Sequence, residues 1–306
     1  MNAPAPPPAR DDRTAYALLF AVPLCLSVNP LVSKAFIGDI PPWGMAFWRW
    51  TLAAALIAIF AGRALWRRRA AVRAEWRSLA ALGFLGVFVA GAFVYIAAQT
   101  TTATNIGLLF ALSPVFVVLI GAMLYGDRLG HWQIAGVAGS LLGAVLILMR
   151  GDLAALLGLR FASGDLWILI ACICWSFYTV YNMRWKSALG LWPRFLAIML
   201  AGTLMLAPFA LWEHIAARRW EPDGRNLGAI VALAVFPAVL AYSGYAFIIA
   251  RLGAARAILM QYIVPVYIAA FAWLALGERL AWYHIAGAAL VLGGLFLATR
   301  RAPRKS

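Results

Sequence analysis

The stretch MAFWRWTLAAALIAIFAG sets one arginine, Arg49, between two tryptophans near the head of a long apolar run. Arginine keeps its charge and presents a planar fork of donors that fits a carboxylate. Unpaired inside a membrane span it costs at least about 2.5–3.5 kcal/mol, so an ionisable residue there is by default a functional candidate with a partner to be found. No Asp or Glu lies near the middle of any apolar run. Backbone carbonyls, cavity water or an anionic group on a ligand are the partners that remain. Lys34, just after Asn29-Pro30, closes the preceding run and is expected to snorkel to the interface. Glu213 and His214 end a later run and are expected in water.

Other residues could form the walls of a cavity. Trp175, Tyr178, Thr179 and Asn182 follow the i, i+3, i+4, i+7 spacing that gathers side chains on one helical face. Tyr242 with Tyr245, and Tyr95 with Gln99, do the same on other runs. Tyr and Trp near helix ends are interface anchors, the reading given to Trp43, Trp66, Trp132, Trp212 and Trp282. Pro114 and Pro265 each sit mid-run, where proline frees the carbonyl four residues back, that of Phe110 and of Gln261. Matching interruptions in two halves point to a central site; a packing kink is the plain alternative. With Asn29, Asn105 and Tyr262, these residues complete the candidate substrate-binding set.

The solvent for these residues follows from composition. The 306 residues are 65% hydrophobic and only 12% charged, against about 45–50% and about 25% in soluble domains. So few charges cannot cover so much apolar surface in water, and the chain reads as an integral membrane protein. The net charge of +15 does not indicate nucleic acid, because the basic residues cluster beside apolar runs. Cys25, Cys172 and Cys174 lie inside such runs at neither redox nor zinc spacing and read as packing residues.

A spanning helix needs about 20 mostly apolar residues. By that measure ten spans are expected, at 14–36, 44–66, 79–99, 103–125, 131–149, 165–183, 193–213, 227–250, 255–276 and 282–299. Residues 1–13 read as a disordered tail, 150–164 as a connector and 300–306 as a basic tail. Eighteen of the 26 Lys and Arg residues fall on the side of the N-terminus and six on the other, which places both termini in the cytoplasm.

The phrase LYGDRLGHWQIAG at residues 124–136 returns as ALGERLAWYHIAG at 275–287, at a constant offset of 151. It falls after the fourth and the ninth spans, so the unit is five helices, and an odd unit inverts the second copy. The fold expected is an all-α membrane protein of two inverted five-helix repeats, 14–149 and 165–299, with substrate near the midplane between them. The phrase itself reads as a turn: Gly126 and Gly277 close their helices, and Arg128 and Arg279 sit at the headgroups. Gly136, Gly139 and Gly143, with Gly287, Gly293 and Gly294, read as close helix packing within a monomer; a dimer contact is the alternative.

TNIGLLFALSPVFVVLIGAMLYGDRL, LGAARAILMQYIVPVYIAAFAWLALGERL with IAGAALVLGG, and WSFYTVYNMRWK resemble the two EamA domains of the drug/metabolite transporter superfamily. The resemblance covers most of the chain. It implies ten helices, cytoplasmic termini, a bacterial plasma-membrane location and transport of a small metabolite. An amino-acid or related amphipathic exporter is expected ahead of a phosphate-ester or nucleotide-sugar carrier, which would present several basic residues in its cavity. An intramembrane enzyme is not expected, since His131, His214 and His284 lack carboxylate partners at recognisable spacing. The partners expected are a small-molecule substrate and the bilayer, with no nucleic acid, metal or cofactor. Reporter fusions at Arg69 and Ser306 should read cytoplasmic and one at Asp39 external; a cytoplasmic signal at Asp39 would break the ten-span order.

Overall fold

The computed structural model describes residues 13–126, 130–148, 151, 162–217, 222–252 and 260–298, and every regular element among them is a helix. Seven segments are long and apolar enough to cross a membrane: α1 Arg13–Ala35, α2 Pro42–Arg67, α3 Trp76–Ala98, α4 Ala103–Tyr125, α6 Ser163–Arg184, α7 Leu191–Ala216 and α8 Gly224–Tyr245. Three shorter apolar helices, α5 His131–Leu148, α9 Met260–Leu276 and α10 Trp282–Ala298, complete the described set. A short helix, Arg69–Ala74, links α2 to α3. In lipid the backbone must satisfy itself, which is why apolar runs of this length become helices. Successive segments alternate in direction. The face where α1 begins is called proximal and the opposite face distal.

The two halves share two local irregularities. Wide π-helical turns occupy Phe84–Val89 in α3 and Val235–Leu240 in α8, again 151 residues apart. Gly126 and Gly277 both adopt left-handed backbone, with φ of 67° and 66°. Side-chain-bearing residues avoid that region, so glycine is what ends α4 and α9 tightly. The expected closure of the two helices by glycine is met in both copies, while Arg128 lies outside the described residues.

The crossing of α5 and α10 exposes the symmetry between the halves. Ser140 Oγ donates to the carbonyl of Val291 at 3.1 Å, and these residues are each other's repeat equivalents. Gly143 packs on Gly287, and their equivalents Gly294 and Gly136 pack together in the same way. Reciprocal contacts of this kind require a pseudo-twofold axis through the crossing. Gly136, Gly139, Gly143, Gly287 and Gly294 therefore pack within the chain, whereas Gly293 meets open space.

Two expectations change. Pro114 does interrupt α4, which is helical over Ala103–Phe110 and again over Ser113–Tyr125. Pro265 does not interrupt α9, which runs unbroken through it. The bond lost there is the one to the carbonyl of Gln261, the second described residue of the helix. Trp43 is no interface anchor: it is half-buried and stacks on Phe209 with centroids 4.7 Å apart. Trp66, Trp132, Trp212 and Trp282 are exposed as expected.

A Cβ at Gly294 would fall 2.4 Å from the carbonyl oxygen of Gly136, whereas one at Gly293 meets nothing within 4 Å. Gly294→Ala should therefore destabilise the detergent-purified protein by about 1–3 kcal/mol, and Gly293→Ala should leave its melting temperature unchanged. Equal melting of the two variants would show that this crossing is not tightly packed.

Candidate functional site

Arg49 lies at the second turn of α2 and is 5% exposed. Its Nε donates to the carbonyl of Leu233 at 3.2 Å, and its Nη1 donates to the Tyr95 hydroxyl at 3.1 Å. Tyr95 Oη passes the polarity on, donating to Asn29 Oδ1 at 3.0 Å. The guanidinium also lies 4.5 Å from the ring centre of Trp50. The Leu233 carbonyl is available for a definite reason. Its helical donor would be the residue four places on, Pro237, which has no N–H. Proline and the wide turn Val235–Leu240 thus leave an acceptor where the cation needs one. Such wide turns are frequent at functional sites.

Aromatic rings continue the site. Trp175 and Tyr178 on α6 stack with centroids 4.9 Å apart, and Tyr242 on α8 stacks on Phe195 of α7 at 4.6 Å. Trp175 joins the two pairs, 6.4 Å from Tyr242, and lies 6.3 Å from Phe110. Tyr242 is within electrostatic reach of both Tyr178 and Arg49. Glycines on α3 make room for this group. A Cβ at Gly91 would sit 2.5 Å from Trp50 Nε1, and one at Gly86 would sit 2.6 Å from the Tyr178 ring.

On the distal face the halves are tied by polar contacts at helix ends. Glu213 Oε2 accepts from the Gly44 N–H at 2.8 Å in the first turn of α2. Glu278, beyond the end of α9, accepts from the Ala103 and Thr104 N–H groups at 2.7 and 3.1 Å and from Thr104 Oγ1 at 2.7 Å. These are orphan donors of α4, and a carboxylate there also meets the positive end of the helix dipole. Beside it, fully buried Asp165 accepts from Thr101 Oγ1 and from Asn105 Nδ2. Ala281 N–H donates to His284 Nδ1 at 3.0 Å, which in the neutral ring leaves the proton on Nε2 for Asn105 Oδ1 at 3.2 Å. Lys34 Nζ donates to the Ala98 carbonyl at the end of α3 at 2.9 Å.

The model of the EamA-like transporter family matches residues 13–149 and again 162–300. The chain belongs to that family. It is 28% identical to an uncharacterized transporter of Archaeoglobus fulgidus, over 88% of this chain and 91% of the relative. It is also 28% identical to a probable terminal-alkyne amino-acid exporter of Streptantibioticus cattleyicolor, over 95% and 94%. A solved crystal structure at 24% identity covers 94% of this chain and 96% of its own with a TM-score of 0.63, which bears on the fold alone. The chain is thus a multi-pass membrane protein of a transporter family.

Within this EamA-like chain the structure sorts the residues singled out from sequence. It joins Asn29, Arg49 and Tyr95 in one chain of hydrogen bonds and links Phe110, Trp175, Tyr178 and Tyr242 to one another through ring contacts. It separates Gln99, which falls past the last residue of α3 and is exposed at the α3–α4 turn. Asn105 is buried in the distal layer instead of facing the Arg49 site. Tyr245 packs with the cluster of Ala15, Leu19 and Val22 between α1 and α8. Asn182 gives its backbone carbonyl to Arg194 at 3.0 Å. The break at Pro114 is answered by α6: Cys172 Sγ approaches the Phe110 carbonyl and Ser176 Oγ donates to the Ser113 carbonyl. This supports the packing reading of that proline. The side chains of Gln261 and Tyr262 and all of Asp127 lie outside the described residues. Glu213, expected in water, is buried because α2 offers it an unpaired N–H. Leu233 and Pro237 were missed, although a proline four residues after a mid-span leucine was a usable signal.

If Glu278 secures the start of α4, Glu278→Gln should speed amide exchange across residues 103–110 by about tenfold, the scale of a charge-assisted hydrogen bond. Arg279→Gln, which removes an exposed charge next door, should not. Unchanged exchange in Glu278→Gln would contradict the assignment.

Proposed function

We propose that this chain exports a small amphipathic carboxylate, an amino acid or a related compound, by alternating access, and that its proximal face is the cytoplasmic side of a bacterial plasma membrane. The observation that carries the reading is the state of Arg49. Its guanidinium is buried, it is held by one carbonyl and one phenol, and among the described residues no carboxylate is bonded to it. Guanidinium has five N–H donors, so capacity remains for a carboxylate to be held by two parallel bonds. The aromatic group of Trp175, Tyr178 and Tyr242 offers the apolar part of the same molecule a surface within reach. A phosphate-ester carrier would call for more cations here, and Arg49 is the one that the described site provides.

Outward direction draws on the exporter among the relatives, and the membrane orientation on the bias of basic residues toward the proximal face. In this reading the distal face is closed, with Glu278 on α4 and Asp165 bonded to Thr101 and Asn105 as its fastening. Opening outward requires those bonds to break.

The substrate is found by comparing metabolite release from cells that overexpress the protein with release from cells that lack it. Arg49→Gln should then lower the release of that compound by about tenfold or more, the scale of a lost charge-assisted bond, at unchanged membrane abundance. Arg49→Lys should restore only part, since lysine lacks the planar fork. Undiminished release by Arg49→Gln would remove Arg49 from the pathway.

A further inference from the structure

A second cationic site lies on the proximal face, away from Arg49. Arg77 and Ser78 at the start of α3 and Arg184, Trp185 and Lys186 at the end of α6 line an open cleft of about 640 Å³. Its walls are fastened. Arg194 donates to the carbonyls of Asn182 and Trp185, closing the end of α6 at 3.0 and 3.2 Å. Glu75 accepts from Ser187 Oγ at 2.6 Å and from the Ala188 N–H at 2.8 Å, and Arg68 donates to the Ala188 carbonyl at 2.9 Å. Among the described residues, Glu75 is the carboxylate beside the cleft, it is turned onto the α6–α7 link, and no acidic side chain is among the described residues that line the cleft.

We propose that this cleft binds the phosphate of an anionic phospholipid headgroup. The chemistry required is a compact anion able to meet an Arg fork and a Lys ammonium together. Its depth favours a lipid as the source. Trp76, next to Arg77, is 60% exposed, and Trp66, at the end of α2, is 72% exposed; exposed indoles mark the headgroup level. Arg184 sits 4.7 Å from the ring centre of Tyr125, beyond which Leu124 and Met123 are also exposed. An acyl chain descending from the cleft meets that apolar strip. Basic pockets at helix ends hold lipid phosphates by this combination of charge and depth. The inference does not rest on the transport reading.

The test is native mass spectrometry of the purified full chain with phosphatidylglycerol or phosphatidylcholine. The wild type should retain phosphatidylglycerol in preference by about fivefold or more, given the typical contribution of a basic residue at the membrane surface. Arg77→Ala/Lys186→Ala should lose that preference. Arg69→Ala/Arg73→Ala removes as much charge from the same face but outside the cleft and should keep it. The proposal is overturned if the cleft variant keeps its preference or if the control variant loses as much. It is likewise overturned if added inorganic phosphate abolishes the preference, which would make the site one for a free anion.

Discussion

The scarcity of carboxylates, and where they are placed, governs this molecule. Six acidic residues are described, and each is engaged near a membrane face. Glu75, Glu213, Asp223 and Glu278 accept backbone N–H groups at links or helix starts, Asp39 pairs with Arg225, and Asp165 is bonded to Thr101 and Asn105. Helix ends in a bilayer leave orphan donors that must be met, and a carboxylate meets two at once. The consequence is felt at Arg49. A buried cation is normally paired, yet every anion among the described residues is engaged elsewhere, and this is why the proposed function brings Arg49 a carboxylate on the substrate.

That arrangement also divides the bundle into pairs braced at both faces and a helix start bonded across the halves at one face. α2 and α7 are joined at both faces, through Glu213 on Gly44 distally and through Glu75 and Arg68 on the link before α7 proximally. α5 and α10 are locked by glycine contacts along a pseudo-twofold axis. The start of α4 is capped by its own Thr102 and by Glu278 delivered from the other half. A bond between halves at one face only is a fitting place for a transporter to open, because breaking it leaves the braced pairs intact.

Much of this was legible in the sequence for physical reasons. Span length is set by the bilayer, so apolar runs mark the helices. The constant offset of 151 survives in the wide turns, the left-handed glycines and the Ser140–Val291 contact. Arg49 stood out because charge inside a span is rare. The partners were not legible. Glu213 with Gly44 and Glu278 with Ala103 join residues more than 160 positions apart, and neither hydrophobicity nor spacing encodes which helix end lies opposite. Gln99 and Asn105 were placed with the pathway because polarity in a span marks interest without saying which layer it serves. Asn105 serves the distal layer, where it bonds Asp165 and His284.

The central claim is that a carboxylate on the substrate completes Arg49. Binding of the transported compound to the purified protein, measured beside its carboxamide analogue of nearly identical shape, tests this most directly. The account predicts that the carboxylate binds at least about tenfold more tightly, the scale of a charge-assisted hydrogen bond, and that Arg49→Gln abolishes the difference while leaving carboxamide binding as it was. Equal affinity for the two compounds in the wild type would contradict it.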